Sequence, residues 1–392
     1  MLTKKENGFK KVVYREIGLM VKHPIYVIMI VLIPLASYIF FASLMPEGLP
    51  EKLPVGVIDH DNSIVSRKMI RQIDATAQSS VVGHYLNFSE AKKDLQKGKI
   101  YGFVEIPSNF ERNLMSSNQP KIWFYYTQAF YIPGSLTLKS FSFMLSTLSG
   151  GVNLQARLLR GQTERESMAQ IQPIAPDIHP IGNPYINYSV YLIDTIIPGV
   201  LELIILLTTV YAIGIELKYK TSRQWMKLTN NSYLKALTAK LLPYTISFII
   251  MGMLYDVILF KFLHYPMNAN ILWMFLDTAM LVVAAQSVGV FMIGLMPVIR
   301  DGLSFASLYG VLAFSFSGFS FPIEGMIPPV QGLSTIFPLR YYFKIYQNFA
   351  LNGLSFQYAA TSFLCMCVFL LLPLVVSVRL KKALIYQNYP KK

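Results

Sequence analysis

Hydrophobic and polar positions divide the chain into two kinds of segment. Pro24 to Met45 carries no Asp, Glu, Lys or Arg. At about 20 apolar residues such a run is long enough to cross a bilayer. Further long apolar runs lie at about Asn187 to Ile215, Leu241 to Phe262, Leu272 to Met296, Gly302 to Ile323 and Ser355 to Val378. Six runs predict an α-helical polytopic membrane protein with six transmembrane helices. Ahead of them, Phe9, Val12, Val13, Ile17 and Met20 recur at helical spacing among Lys4, Lys5, Lys10, Lys11, Arg15 and Lys22. Residues 1–23 therefore predict a basic amphipathic helix that lies along a membrane surface. The leader before Pro24 is long and no clean A-x-A site follows the run, so 24–45 reads as an uncleaved first span rather than a signal peptide.

Residues 46–186 have another pattern, with strand and helix signals alternating. Leu53 to Asp59 reads as a buried strand, Ser63 to Asp74 as a helix, Ser80 to Phe88 as a strand and Ser89 to Gly98 as a short helix ending at glycine. Ile100 to Ile106 and Lys121 to Thr127 complete four strands, with Ser108-Asn109-Phe110-Glu111 as a capping box between them. Tyr131 to Gln170 reads as largely helical. This predicts a small α/β domain inserted between spans one and two. Asp59 and Asp61 are its most site-like carboxylates, and turn and capping roles suit them better than a metal, since no further ligands accompany them.

Charge orients the scheme. The chain has 35 Lys and Arg against 21 Asp and Glu, a formal net charge of +14. These cations are not one patch, which argues against nucleic acid as a partner. They sit in short groups beside apolar runs: Lys218, Lys220, Arg223, Lys227, Lys235 and Lys240 after span two, and Arg379, Lys381, Lys382, Lys391 and Lys392 at the end. The positive-inside rule then places both termini and the 216–240 loop in the cytoplasm, and the 46–186 domain outside. The two cysteines, Cys365 and Cys367, lie inside an apolar run and imply neither disulfide nor metal.

After the fifth run the chain reads SGFSFPIEGMIPPVQGLSTIFPLRYYF, from Ser317 to Phe343. Its prolines and glycines cannot continue a helix. This segment resembles the ABC-2-type transporter permeases, the membrane subunits of ABC exporters with a large extracytoplasmic domain between spans 1 and 2. VVYREIGLMVKHP, VGVIDHDNSIVSRKMIRQI, YGFVEIPSNFERNL and LTAKLLPY are similar to that family as well, so the resemblance covers nearly the whole chain. It implies a permease core over 187–392 and a re-entrant outer segment at 318–345. Phe319, Phe321, Pro322, Glu324 and Arg340 would then belong to an outer gate. It also implies that the 216–240 loop carries a helix, Thr221 to Lys235, which docks on a cytoplasmic ABC ATPase through Arg223, Trp225, Met226 and Lys227. ELKYKTSRQW departs from the family's usual run there.

The resemblance further implies a second permease chain, as a homodimer or related heterodimer, an adaptor outside the membrane as an optional partner, and a bacterial inner-membrane location. ATP and Mg would be bound by the partner subunit and no cofactor by this chain. Leu148-Ser149-Gly150-Gly151-Val152 looks like an ABC ATPase signature, but no G-x-x-x-x-G-K-[ST] accompanies it. The chain is therefore not expected to be an enzyme. Carboxylates inside spans are costly and usually face a cavity or a partner. Asp194, Glu202, Asp256 and Asp277 are such groups; Glu202 with Asp256 is the candidate lining of a translocation path, and packing is the candidate role of the other two. A membrane-anchored receptor or scaffold, whose outer domain binds a partner, is the rival reading.

Overall fold

The computed structural model describes residues 8–44, 48–116, 118–173, 179–183, 187–318, 321–387 and 389. Its chain forms two compact units, Met1–Pro46 with Pro180–Lys392, and Glu47–His179.

The first unit opens with helix α1, Gly8–Lys22, which buries Val12 and Glu16 and exposes Lys10 and Tyr14. Pro24 ends it, and α2 follows over 24–44 with a π turn at Ile28–Leu32.

The second unit is a four-stranded sheet ordered β2-β1-β3-β4, where β1 is Leu53–Asp59, β2 Ser79–His84, β3 Gly102–Ile106 and β4 Trp123–Tyr126. The first three strands are parallel and β4 is antiparallel to β3. Successive side chains of a strand point to opposite faces, and both faces are covered. Val55, Val104 and Ile106 pack with Met69 and Ile73 of α3 (Ile64–Asp74), and Phe141 and Met144 from the same cluster belong to a later helix. On the other side Ile58 and Phe103 meet Ala91 of α4 (Phe88–Gln96). The helix expected over 131–170 is two, α6 at Tyr131–Leu159 and α7 at Glu164–Ile171. They are separated at Gly161, whose φ of +83° glycine adopts without a Cβ penalty. The signature-like Leu148–Val152 lies inside α6.

Helix α5, Phe110–Met115, is not opened by the expected capping box. Its N-cap residue, Asn109, is left-handed at φ +60° and makes no side-chain cap. Asp61 takes that role from across the loop, accepting the N–H of Phe110 at 2.9 Å and of Glu111 at 3.1 Å. Partial burial alone would push this carboxyl up. Hydrogen bonds from Ser63 and from the N–H groups of Glu111, Phe110 and Asn109 outweigh it and hold the carboxyl below its ordinary 3.8. A depressed folded value means the contribution is complete above the unfolded value and is lost as pH falls through the folded one. Asp61→Ala is expected to cost about 1 kcal/mol near neutral pH and nothing once both states are protonated. Hydrogen exchange at the Phe110 and Glu111 amides checks this, and unchanged protection at neutral pH would refute it.

The first unit resumes with α8, Tyr188–Lys218. The docking helix expected over 221–235 is interrupted: α9 covers only Ser222–Leu228, and α10 begins at Tyr233 and runs to Phe262. Asn230 and Asn231, at φ 54° and 56°, form the break, because left-handed residues cannot continue a right-handed helix. The third span thus starts before the expected Leu241 and takes Lys240 into its interior. Helices α11 (Ile271–Leu295) and α12 (Ile299–Phe316) follow, then a 3-10 turn at Ile323–Gly325 and α13 at Pro328–Ser334. Helix α14 covers 338–351, α15 Phe356–Val375 and α16 Ser377–Tyr386.

Among the described residues five helices are long and apolar enough to cross a membrane: Pro24–Ser43, α8, α10, α11 and α15. The remaining expected span, 302–323, corresponds to α12, which ends at Phe316 and is not one of the five. Its distinguishing feature is an antiparallel seam with α8. Gly199 lies against Phe314, Leu203 against Gly310, Val210 against Gly302 and Gly214 against Ile299. A Cβ on Gly199 would stand 2.4 Å from the Phe314 ring, and one on Gly310 2.6 Å from Leu203 Cδ1. Small residues let two backbones approach closely without a hydrophobic drive between them.

Candidate functional site

Three places in the first unit gather the residues that chemistry would use. The first is α9. Its sequence Ser-Arg-Gln-Trp-Met-Lys-Leu puts apolar and charged residues on different sides of two turns. Trp225 and Met226 are wholly buried, in a cluster with Val12, Leu217, Tyr233, Leu237, Leu380 and Leu384. Arg223, Gln224, Lys227 and Leu228 are exposed. Of the four residues expected on a docking surface, Trp225 and Met226 are therefore buried and anchor the helix, whereas Arg223 and Lys227 are exposed.

Behind α9 lies a buried ion network made by residues that sequence patterning did not single out. Lys240 Nζ stands 2.9 Å from Glu16 Oε2 and 3.1 Å from Glu216 Oε1. Arg15 Nη1 donates to Glu16 Oε1 at 2.6 Å and to Glu216 Oε1 at 2.7 Å, and its Nη2 donates to Glu216 Oε2 at 3.0 Å. Thr221 donates to Glu216 at 2.6 Å and Tyr244 to Glu16 at 3.4 Å. Lys240 Nζ is also 5.4 Å from the Trp225 ring centroid. Glu16, Glu216 and Lys240 are all buried, and two cations against two carboxylates leave the group neutral, the condition for burying charge at tolerable cost. The only signal in the sequence was a lone acid on the core face of a basic helix, Glu16.

The second place is the carboxylates of the spans, all four of them buried. Asp194 accepts hydrogen bonds from the hydroxyls of Tyr255, at 3.3 Å, and Tyr346. Thr278 donates to Asp256 at 2.8 Å and is followed back along α11 by Asp277. The structure thus places Asp256 with Thr278 and the tyrosines. Glu202 is elsewhere on α8, two turns beyond Asp194, or about 12 Å along the axis. Both carboxyl oxygens of Glu202, both of Asp277 and Oδ1 of Asp256 have no hydrogen-bond partner among the described residues. No group of three or more His, Cys, Asp or Glu is set to hold a metal ion among those residues.

The third place is the broken segment after α12. Gly318, at φ +89°, turns the chain, and Ile323 packs on it. Phe319 lies outside the described residues. Phe321, Pro322 and Glu324 are exposed. Phe337 is buried, its ring 4.8 Å from Tyr309 and 5.6 Å from Phe316. Arg340 Nη1 donates to the Gln331 carbonyl at 3.2 Å and to the Ser334 hydroxyl, tying the end of α13 to the start of α14. A cation at the last carbonyls of a helix satisfies groups the helix cannot.

With these sites described, comparison with known proteins gives two matches. The family described as ABC-2 family transporter protein matches residues 24–379. The chain is also similar to the linearmycin resistance permease protein LnrN of Bacillus subtilis, 23% identical over 357 residues, which covers 87% of this chain and 88% of that one.

Proposed function

The chain belongs to the ABC-2 family of transporter proteins, and from that premise we propose that it is the permease subunit of an ATP-driven exporter. It moves substrate outward from the cytoplasm or membrane and is powered by a separate ATPase that binds ATP and Mg. Six spans, counting α12, cross the bacterial inner membrane with both termini and α9 in the cytoplasm and the 47–179 unit outside. A second permease chain, identical or related, completes the pathway, since a two-fold interface of such bundles encloses a path that one alone cannot. Outward movement fits the resistance in the relative's name. Glu202 lines the path, with the Asp256 group toward its outer end and the 318–345 segment as the gate.

The observation that carries this reading is α9. A helix of seven residues is held by Trp225 and Met226 while Arg223 and Lys227 are exposed. That is the construction needed to take a push from a soluble partner without losing its seat. The test is a pull-down of the tagged chain from membranes, with ATPase activity measured on the eluate. A nucleotide-binding subunit should accompany the wild type. Arg223→Glu with Lys227→Glu should remove it at unchanged thermal stability, since exposed substitutions usually shift stability by no more than about 0.5 kcal/mol. A wild-type chain that elutes alone without ATPase activity would sink the reading.

A further inference from the structure

The ion network behind α9 has no part in docking as described above, and its composition asks for an explanation. A neutral, hydrogen-bonded and largely buried network can often be exchanged for apolar residues without loss of stability, so its best-attested use is to fix one arrangement among several. Here the elements fixed are remote in sequence. Arg15 and Glu16 come from α1, Glu216 from the end of α8, Thr221 from the residue before α9, and Lys240 and Tyr244 from α10. All of them bear on the small helix. Thr221 holds its start through the 2.6 Å bond to Glu216, and Lys240 stands over the ring of Trp225 at its middle. At its end the Leu228 carbonyl oxygen packs so closely on Gly8 that a Cβ there would lie 1.8 Å away. On the far side Ser222 donates to the Leu384 carbonyl at 2.8 Å and accepts from Gln387 at 3.1 Å.

We propose that Glu16, Glu216 and Lys240 are positioning residues for energy coupling. They set the angle of α9 against α8 and α10, so that a displacement of α9 is passed to both spans and not absorbed at the Asn230–Asn231 break. The inference rests on the reading of α9 as the ATPase docking helix. Thr221, whose hydroxyl donates from the α9 boundary to the Glu216 carboxylate, is the transmitting contact. The network does not touch substrate, and its loss changes how much transport each ATP yields without changing whether the ATPase binds.

The discriminating variant is Glu216→Leu with Lys240→Leu, which removes one charge of each sign and leaves Arg15 paired with Glu16. It is read in a Trp123→Phe, Trp273→Phe background, where Trp225 is the sole tryptophan. The expected result is an ATPase subunit that still co-purifies, a shifted Trp225 emission, and transport per ATP reduced by roughly tenfold or more, a usual size for coupling between sites. Thr221→Val, a milder change, should lower transport per ATP by a smaller factor and keep the fold if the double variant does not. Unchanged transport per ATP in the folded double variant, or in Thr221→Val where the double variant fails to fold, overturns the proposal and leaves the docking reading standing. A wild-type chain without an ATPase removes the docking reading, and this one with it. Loss of ATPase binding in the folded double variant overturns the proposal, because the network would then act on docking itself.

Discussion

Trp225→Ala is expected to lower stability by about 3–5 kcal/mol, the range for truncating a large buried aromatic. Trp225 is fully buried in a helix of seven residues, and so short a helix has almost no stability of its own. Its ring joins Val12 of α1, Leu217 of α8, Leu237 of α10 and Leu384 of α16 in one cluster, and it also faces the Lys240 ammonium. Truncation therefore opens a cavity where four helices meet and strips one side of a buried cation. The effect should be local first: α9 should leave its seat before the spans separate. Trypsin would report this by earlier cleavage at Arg223 and Lys227, together with a lower midpoint of thermal unfolding in detergent. A variant with the wild-type tryptic pattern and midpoint would show that α9 is held by other contacts.

Glu202→Leu is expected to move stability the opposite way. Glu202 is buried on α8 with neither carboxyl oxygen bonded to a described residue. A buried polar group left without partners costs about 1–3 kcal/mol, so an apolar residue of similar size should return an amount of that order. Transport should meanwhile collapse if Glu202 lines the path, because the substitution removes the polar group on which the path reading depends. A higher thermal midpoint with transport abolished would mark a residue kept for function at the expense of stability. A higher midpoint with normal transport would make it an idle polar group. A lower midpoint would mean that Glu202 has a partner in the assembled transporter, such as the second permease chain.

Much of the fold is legible in the sequence. Leu53 to Asp59 is a strand because a short apolar run is bounded by turn residues, and Ile64–Asp74 is a helix because Ser63 caps it and Met69 and Ile73 share a face. The spans follow from length and apolarity. The candidate sites were less legible, since they depend on residues brought together from distant segments. Lys240 reads as a loop cation because nothing nearby in sequence shows that Glu16, 224 positions earlier, is its partner. Trp225 and Met226 do not separate from Arg223 and Lys227 in the sequence, because a short helix has too few positions for periodicity to distinguish a buried face from an exposed one. Asp61 shows the same limit: the cap of α5 comes from 49 residues away, while Ser108–Glu111 supplies a local motif that the backbone does not use.

The glycine seam between α8 and α12 sets a condition on how the chain can be made. Helix α12 begins at Ile299, with Arg300 and Asp301 in its first turn, and it is not among the five described helices long and apolar enough to cross a membrane. It packs on the surface that Gly199, Leu203, Val210 and Gly214 offer. That surface is synthesised first and stays uncovered while the intervening chain is made, roughly five to fifteen seconds at usual rates of translation. Until then Gly199 and Gly214 of α8 lack the Phe314 and Ile299 side chains that pack on them in the folded chain. The α8 side of the seam precedes the α12 side in the chain, so the seam closes only after Ile299–Phe316 has been made.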